Sequence, residues 1–105
     1  MIYSFRDMDV WKEAFDLAIL VHEHSSDFPI SEQFALSSQL RRAAVSTFSN
    51  IAEGYGRPSS KEKIRYYQIA RASMYELEAQ LEYAQRVSYL RVEDYSILEE
   101  RIKKW

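Results

Sequence analysis

The stretch from residue 38 to residue 57, SQLRRAAVSTFSNIAEGYGR, constrains the fold more than any other part of this chain. Read as a helix, it sets Leu40, Ala43, Ala44, Thr47 and Ile51 at spacings of three and four, and Leu36 extends the row upstream. Side chains spaced in this way share one face, and a face of this composition has to be buried. A second, polar stripe runs through Arg42, Ser46, Ser49, Asn50, Glu53 and Arg57. It mixes small hydroxyls with fork-shaped donors and a carboxylate, which is not how an ordinary solvated face is built. The only two glycines, Gly54 and Gly56, come next, with Pro58 behind them, so the helix is expected to stop here.

Composition asks for the same kind of structure. Two glycines and two prolines are too few for the turns of a β-rich chain of this length, whereas helices with few, short connections need no more. The 105 residues have room for a single domain, residues 1–105, with one modest core. No cysteine is present to staple it or to provide a thiolate metal site. No run approaches the ~18 consecutive apolar residues of a membrane span. The opening MIYSFRDMDVW has no basic start leading into an apolar run. The expectation is a soluble, cytoplasmic protein.

The formal net charge of −2 gives the whole molecule no attraction for nucleic acid or an anionic membrane. That average hides a split. Residues 37–71 carry seven basic side chains, Arg41, Arg42, Arg57, Lys61, Lys63, Arg65 and Arg71, against two acidic ones, Glu53 and Glu62. The rest of the chain is correspondingly acidic.

Taken in order, residues 1–6 read as a short extended lead-in, and Asp7 or Asp9 is placed to cap a helix running to about Ser25. This helix carries two apolar rows. Val10, Ala14, Leu17, Ala18 and Val21 suit an internal core; Met8, Trp11, Phe15 and Ile19 form a second row that needs another helix or another subunit. Phe28-Pro29 breaks the pattern, Ser31 can cap the next helix, and this second helix is expected over about 32–54 with a loose first turn before Leu36. Ser59 and Glu62 have the spacing of a capping box for a third helix reaching about Val87. Its seam, Tyr67, Ala70, Met74, Leu77, Leu81, Ala84 and Ser88, alternates steps of three and four. Ile69, Glu76, Tyr83 and Val87 line its other side. The last break, at Ser88-Tyr89-Leu90-Arg91, is read only from the loss of this pattern, and Tyr95, Leu98, Ile102 and Trp105 mark a fourth helix. Four amphipathic helices on short connections make an all-α, antiparallel up-and-down four-helix bundle. In that arrangement Ala43 approaches Ser73 or Met74, and Arg42 faces Glu76.

Several of these residues together carry a resemblance. Val10-Trp11 with Ala14, Phe28-Pro29, Glu32, the run Gln39 to Ser46, Asn50-Ile51-Ala52-Glu53-Gly54, Arg57, Ile69-Ala70 and Ser73-Met74-Tyr75-Glu76-Leu77 closely resemble the small "four helix bundle protein" family. That family includes proteins encoded in intervening sequences of bacterial large-subunit ribosomal RNA genes. The resemblance implies an all-α bundle that assembles into a ring, typically a homopentamer, with no known catalytic activity. A more distant relative is the accessory bundle protein of diversity-generating retroelements, a basic pentamer linked to nucleic acid and a reverse transcriptase. This chain departs from that relative in being net acidic. It also places Thr47-Phe48 where the family pattern implies a smaller Ile-Pro type pair, so Phe48 is expected to remove a kink.

Catalytic and metal chemistry find little support in the residues. His22 and His24 are two apart, hence about 200° apart around a helix, and cannot share a metal. Neither histidine is placed as a base for Ser46 or Ser49. Glu53 and Glu76 resemble an acid–base pair in residue type only, because Arg57 follows Glu53 by one turn and Arg42 is expected opposite Glu76. No enzyme activity, cofactor, metal, small-molecule substrate or membrane partner is expected. The expected function is that of a self-assembling scaffold or partner-binding bundle, with Arg42, Asn50, Glu53, Arg57, Ile69, Glu76, Tyr83 and Val87 at its subunit interface. The alternative is a nucleic-acid-binding accessory protein, in which Arg41, Arg42, Arg57, Lys61, Lys63, Arg65 and Arg71, interleaved with Tyr55, Tyr66 and Tyr67, neutralise and stack on a single strand.

Overall fold

The row of small and apolar residues that organises the sequence lies at the centre of the molecule. In the computed structural model, which describes residues 1–105, the helices are α1 Asp9–Ser25, α2 Leu36–Tyr55, α3 Ser60–Arg86 and α4 Val92–Ile102. Each helix packs on the next, α4 returns to α1, and the diagonal pairs do not approach one another closely. With such short connections this is the antiparallel up-and-down four-helix bundle expected. Leu36, Leu40, Ala43, Ala44, Thr47 and Ile51 of α2 are all buried. Ala70, Met74, Leu77, Leu81 and Ala84 of α3 face them from the expected seam. Leu17 and Val21 of α1 and Leu98 and Ile102 of α4 complete the core. Each such leucine, fully removed from water, contributes on the order of 1.5–3 kcal/mol. No helix is long and apolar enough to cross a membrane.

The helix ends depart from expectation in instructive ways. Asp7 is not the cap of α1, because it is already engaged in a 3-10 turn over Phe5–Asp7, where its Oδ2 accepts the Tyr3 and Ser4 amides and Ser4 accepts that of Arg6. Asp9 is the first residue of α1 rather than its cap, and Met8 at the cap position supplies no side-chain acceptor. Ser31 likewise caps nothing: it lies inside a 3-10 turn, Ile30–Glu32, and α2 begins only at Leu36. At α3 the Ser59 side chain accepts the Glu62 amide at 3.2 Å, while the Glu62 carboxylate accepts the Ser59 hydroxyl at 3.0 Å. The reciprocal bond of a full capping box is therefore replaced by a side-chain pair.

Ser88 does not continue the α3 seam. Its φ of 68° lies in the left-handed region, the Tyr89 amide donates to the Ala84 carbonyl at 2.9 Å, and the Ser88 amide donates to that of Gln85 at 3.0 Å. This is a Schellman stop made without glycine. The two glycines serve elsewhere. Gly56 has an ordinary φ of −80° and imposes no turn. Gly54 is buried within α2, and a β-carbon there would lie 2.7 Å from a Tyr67 ring carbon and 3.1 Å from the Tyr66 Cβ. It is required by the close approach of α3 rather than by the end of α2.

α4 has 11 residues and α3 has 27. At 1.5 Å per residue the fourth helix covers about 16 Å of a neighbour about 40 Å long. Near the α2–α3 turn only three helices remain, around Ala14, Ile51 and Ala70. Here Met8, Trp11, Phe48, Tyr67 and Trp105 close over the core in place of a fourth helix. Val10, expected in the internal row, consequently stays 39% exposed.

Candidate self-association surface

α2 occupies the corner between α1 and α3, and its outward side is open except near its C-terminal end, where the turn Phe5–Asp7 packs against it. On the flank shared with α1, the second row of α1 is open: Phe15 and Ile19 remain exposed, with Val45 at 49% on the facing side of α2. Phe34, just ahead of α2, is 97% exposed. Below them Trp11 stacks on Phe15 with ring centroids 4.7 Å apart, and Phe48 meets both rings edge-on at 6.3 and 5.1 Å. Phe5 adds a further edge contact to Trp11 at 5.0 Å. The Trp11 Nε1–H is buried within this cluster without an acceptor. Phe48 thus takes a place in an aromatic cluster, and α2 runs unbroken through it.

On the flank shared with α3, Ile69, Tyr83 and Val87 form the exposed apolar ridge expected from the sequence. Between them and α2 runs a shallow groove lined by Glu32, Ala35, Leu36, Gln39, Ala79, Gln80 and Tyr83. The helices meet beside it through the Ser46 and Ser73 hydroxyls, 2.8 Å apart, and the Asn50 Nδ2 donates to the Ser46 carbonyl at 2.7 Å and its hydroxyl at 3.1 Å. Part of the polar stripe is therefore internal glue between α2 and α3. Gln80 also leaves its Oε1 buried without a donor at this groove.

The charged members of the stripe divide into two groups. At its lower end the Arg57 Nη2 donates to Glu53 Oε1 at 2.6 Å and to the Tyr66 hydroxyl at 2.7 Å, with its guanidinium 4.6 Å over the Tyr66 ring. The hydrogen bond that Arg57 donates to Glu53 raises the Arg57 pKa above its ordinary value. The pairing of Glu53 with Arg57 is thus as expected. The pairing of Arg42 with Glu76 is not found. No acidic group lies within ion-pair distance of Arg42, and Glu76 accepts only from Gln80 Nε2 at 3.2 Å. Both side chains are exposed at one level of the bundle, on outward positions of adjacent helices.

The seven cations of the basic segment are not brought into one patch. Arg41 turns inward: its Nε donates to the Ser25 hydroxyl at 2.9 Å and its Nη2 to the Ser26 hydroxyl at 3.0 Å and the His22 carbonyl at 3.3 Å, so it closes the C-terminus of α1. Lys63 does the same for α2, donating to the Tyr55 carbonyl at 2.7 Å. Arg57 is held by Glu53 and Tyr66, and Arg71 donates to the Tyr75 hydroxyl at 3.1 Å. Lys61 and Arg65 sit exposed at the start of α3, roughly 20–25 Å along the bundle from the level of Arg41 by helical rise. Tyr67 is half-buried behind Gly54, and loss of solvent raises its pKa. His22 and His24 do not converge; His24 instead faces Asp94 across the α1–α4 contact at 3.9 Å.

What sequence reasoning missed is the α2 side of the α1 flank. Phe34 and Val45 belong to no periodic row with Phe15 and Ile19, because they come from a different element. The signal available was a phenylalanine in a polar connection.

A profile described as 23S rRNA-intervening sequence protein matches residues 6–105, almost the whole chain. The chain belongs to that family. Among solved structures it is similar to a protein of unknown function from the S23 ribosomal protein family of Bacteroides thetaiotaomicron, with a TM-score of 0.82 and 26% identity over 90% of this chain and 89% of that one. No curated protein matches. The intervening-sequence protein family thus accounts for the four-helix fold expected from the motifs.

Proposed function

We propose that this chain acts without catalysis, as a bundle that assembles with copies of itself into a closed ring, and that the ring serves as a scaffold for a partner. One observation carries the reading: exposed apolar side chains lie on both flanks of α2, Phe15, Ile19, Phe34 and Val45 on one and Ile69, Tyr83 and Val87 on the other. Scattered apolar residues on a surface need no explanation, but two rows aligned with the helix axes do. A two-fold contact uses the same patch on both partners, and so covers one flank and leaves the other bare. A head-to-tail contact covers both, and closed head-to-tail contacts make rings. The family resemblance sets the expected number at five. Engagement of four of the seven segment cations within the chain favours this reading over nucleic-acid binding.

The test is absolute mass by light scattering after size exclusion, across a dilution series. The expected result is a mass near five times 12.5 kDa that persists on dilution. A monomer at all concentrations overturns the proposal.

A further inference from the structure

Resting on the ring reading, we infer which surfaces meet: the α1–α2 flank of one copy receives the α3 ridge of the next, in register, with α2 turned towards the ring axis. The register comes from contacts within one chain. Ser46 opposite Ser73 fixes the level of α2 against α3, and Arg41 opposite Ser25, with Phe48 against Phe15, fixes α1 against α2. Counting in opposite directions along antiparallel helices then gives three levels. Tyr83 stands opposite Leu36, with which it lines the α2–α3 groove, close to the height of Phe34. Glu76 stands at the level of Ala43, hence of Arg42. Ile69 stands at the level of Asn50, and so of the Trp11, Phe15 and Phe48 cluster.

In a ring whose axis runs along the helices, every residue keeps its height from copy to copy. Residues at equal heights on the two flanks are therefore the ones that can meet. At the upper level the Tyr83 and Val87 side chains reach Phe34, the most exposed aromatic ring of the chain. At the lower level Ile69 reaches the aromatic cluster. At the middle level stand Arg42 and Glu76, both exposed, of opposite sign and without an ion-pair partner inside the chain. Apolar groups above and below an ion pair exclude water from it, which is the arrangement in which such pairs fix register. The area is also adequate. The molecule measures 43 × 23 × 17 Å, so a flank running its length can supply the roughly 800 Å² per partner of a stable interface. Since both contact flanks adjoin α2, each copy is a wedge with α2 at its narrow edge.

The absence of cysteine makes the contact directly testable. Phe34→Cys and Tyr83→Cys are both surface substitutions, and neither disturbs the core. Co-expressed and treated with a short bis-maleimide, the two single variants are expected to give a covalent dimer, and the double variant a ladder up to the full ring. Each single variant alone is expected to give none. A dimer from Phe34→Cys alone would show a two-fold contact and overturn the inference. An assembled ring without cross-links between Cys at 34 and Cys at 83 would also overturn it, while leaving the ring reading intact. A wild-type chain that is monomeric by light scattering brings down the ring reading itself. As a second readout, Arg42→Glu and Glu76→Arg are each expected to weaken assembly at least tenfold, and the double exchange to restore it. Failure of the double exchange to restore assembly overturns the middle contact.

Discussion

At the end of the bundle where α1 meets α4, four helices enclose the core; at the α2–α3 turn, three helices and a set of aromatic side chains do. The first end is built from aliphatic residues fixed in helical rows, with Leu40, Leu77 and Leu98 among those with no exposed surface. A polar lattice seals it, in which Ser25, Ser37, Gln33 and Arg41 satisfy the last carbonyls of α1 and one another. The second end buries small residues, Ala14 and Ala70 around Ile51, and depends on large rings to cover them. The difference follows from length. A fourth helix of 11 residues cannot cover α3, more than twice as long at 27, so side-chain bulk replaces the missing backbone.

If that contrast is real, large-to-small substitutions at the two ends should differ. Leu77→Ala, surrounded by fixed helical rows, is expected to cost about 3–5 kcal/mol, because the cavity cannot collapse. Ile51→Ala, under rings free to settle inward, should cost nearer to 2 kcal/mol. Urea unfolding of both variants at one protein concentration measures the difference. Equal costs would mean that the two ends are packed alike.

Small-to-large substitutions should show the reverse asymmetry. At Gly54 a new β-carbon meets the Tyr67 ring and the Tyr66 Cβ, so α2 and α3 must separate. Overpacking of this kind costs about 1–3 kcal/mol, against which alanine returns up to about 1 kcal/mol of helix propensity. A net loss of about 1–2 kcal/mol is expected for Gly54→Ala, again by urea unfolding. A stabilised variant would show that the tyrosines yield freely. At the other end the corresponding weak point is polar. Ser25→Ala removes the buried hydroxyl that accepts from Arg41 Nε, with an expected loss of about 1 kcal/mol and faster amide exchange at the end of α1.

Much of this architecture is legible in the sequence because the information is periodic. The rows of α2 and α3 predict their own burial through steps of three and four, and Leu40, Ala43, Met74, Leu77 and Leu81 are all buried. Spacing within one helix does not carry relations between elements. Helical position sets Arg42 and Glu76 at one level on adjacent helices, yet a shared level does not fix where long, exposed side chains settle. Arg41 reads as part of a basic surface for the same reason. Its role as a cap of α1 depends on a residue sixteen positions away, Ser25. Phe34 and Val45 become part of a surface with Phe15 and Ile19 only once α1 and α2 are set side by side.

The two connections sharpen the contrast at the smallest scale. The α2–α3 turn holds Gly56 at a φ of −80°, where a β-carbon would make ordinary contacts with the Glu53 carbonyl at 3.6 Å and the Ala52 carbonyl at 4.0 Å. The α3–α4 connection holds Ser88 at a φ of 68°, a conformation that costs a side chain about 1 kcal/mol or more relative to glycine. Glycine is thus present where the backbone does not require it and absent where it does. Ser88→Gly is expected to stabilise the bundle by about 0.5 kcal/mol, the strain relieved being partly offset by the greater freedom of glycine in the unfolded chain. Gly56→Ala should stabilise by a similar amount for the opposite reason, since alanine fits and restricts the unfolded state. Thermal unfolding of the two single variants and of the pair checks both. The sites lie at opposite ends of α3, so their effects should add. If Ser88→Gly gives no gain while Gly56→Ala does, the stop of α3 is set by the packing of Tyr89 and Leu90 and not by the left-handed residue ahead of them.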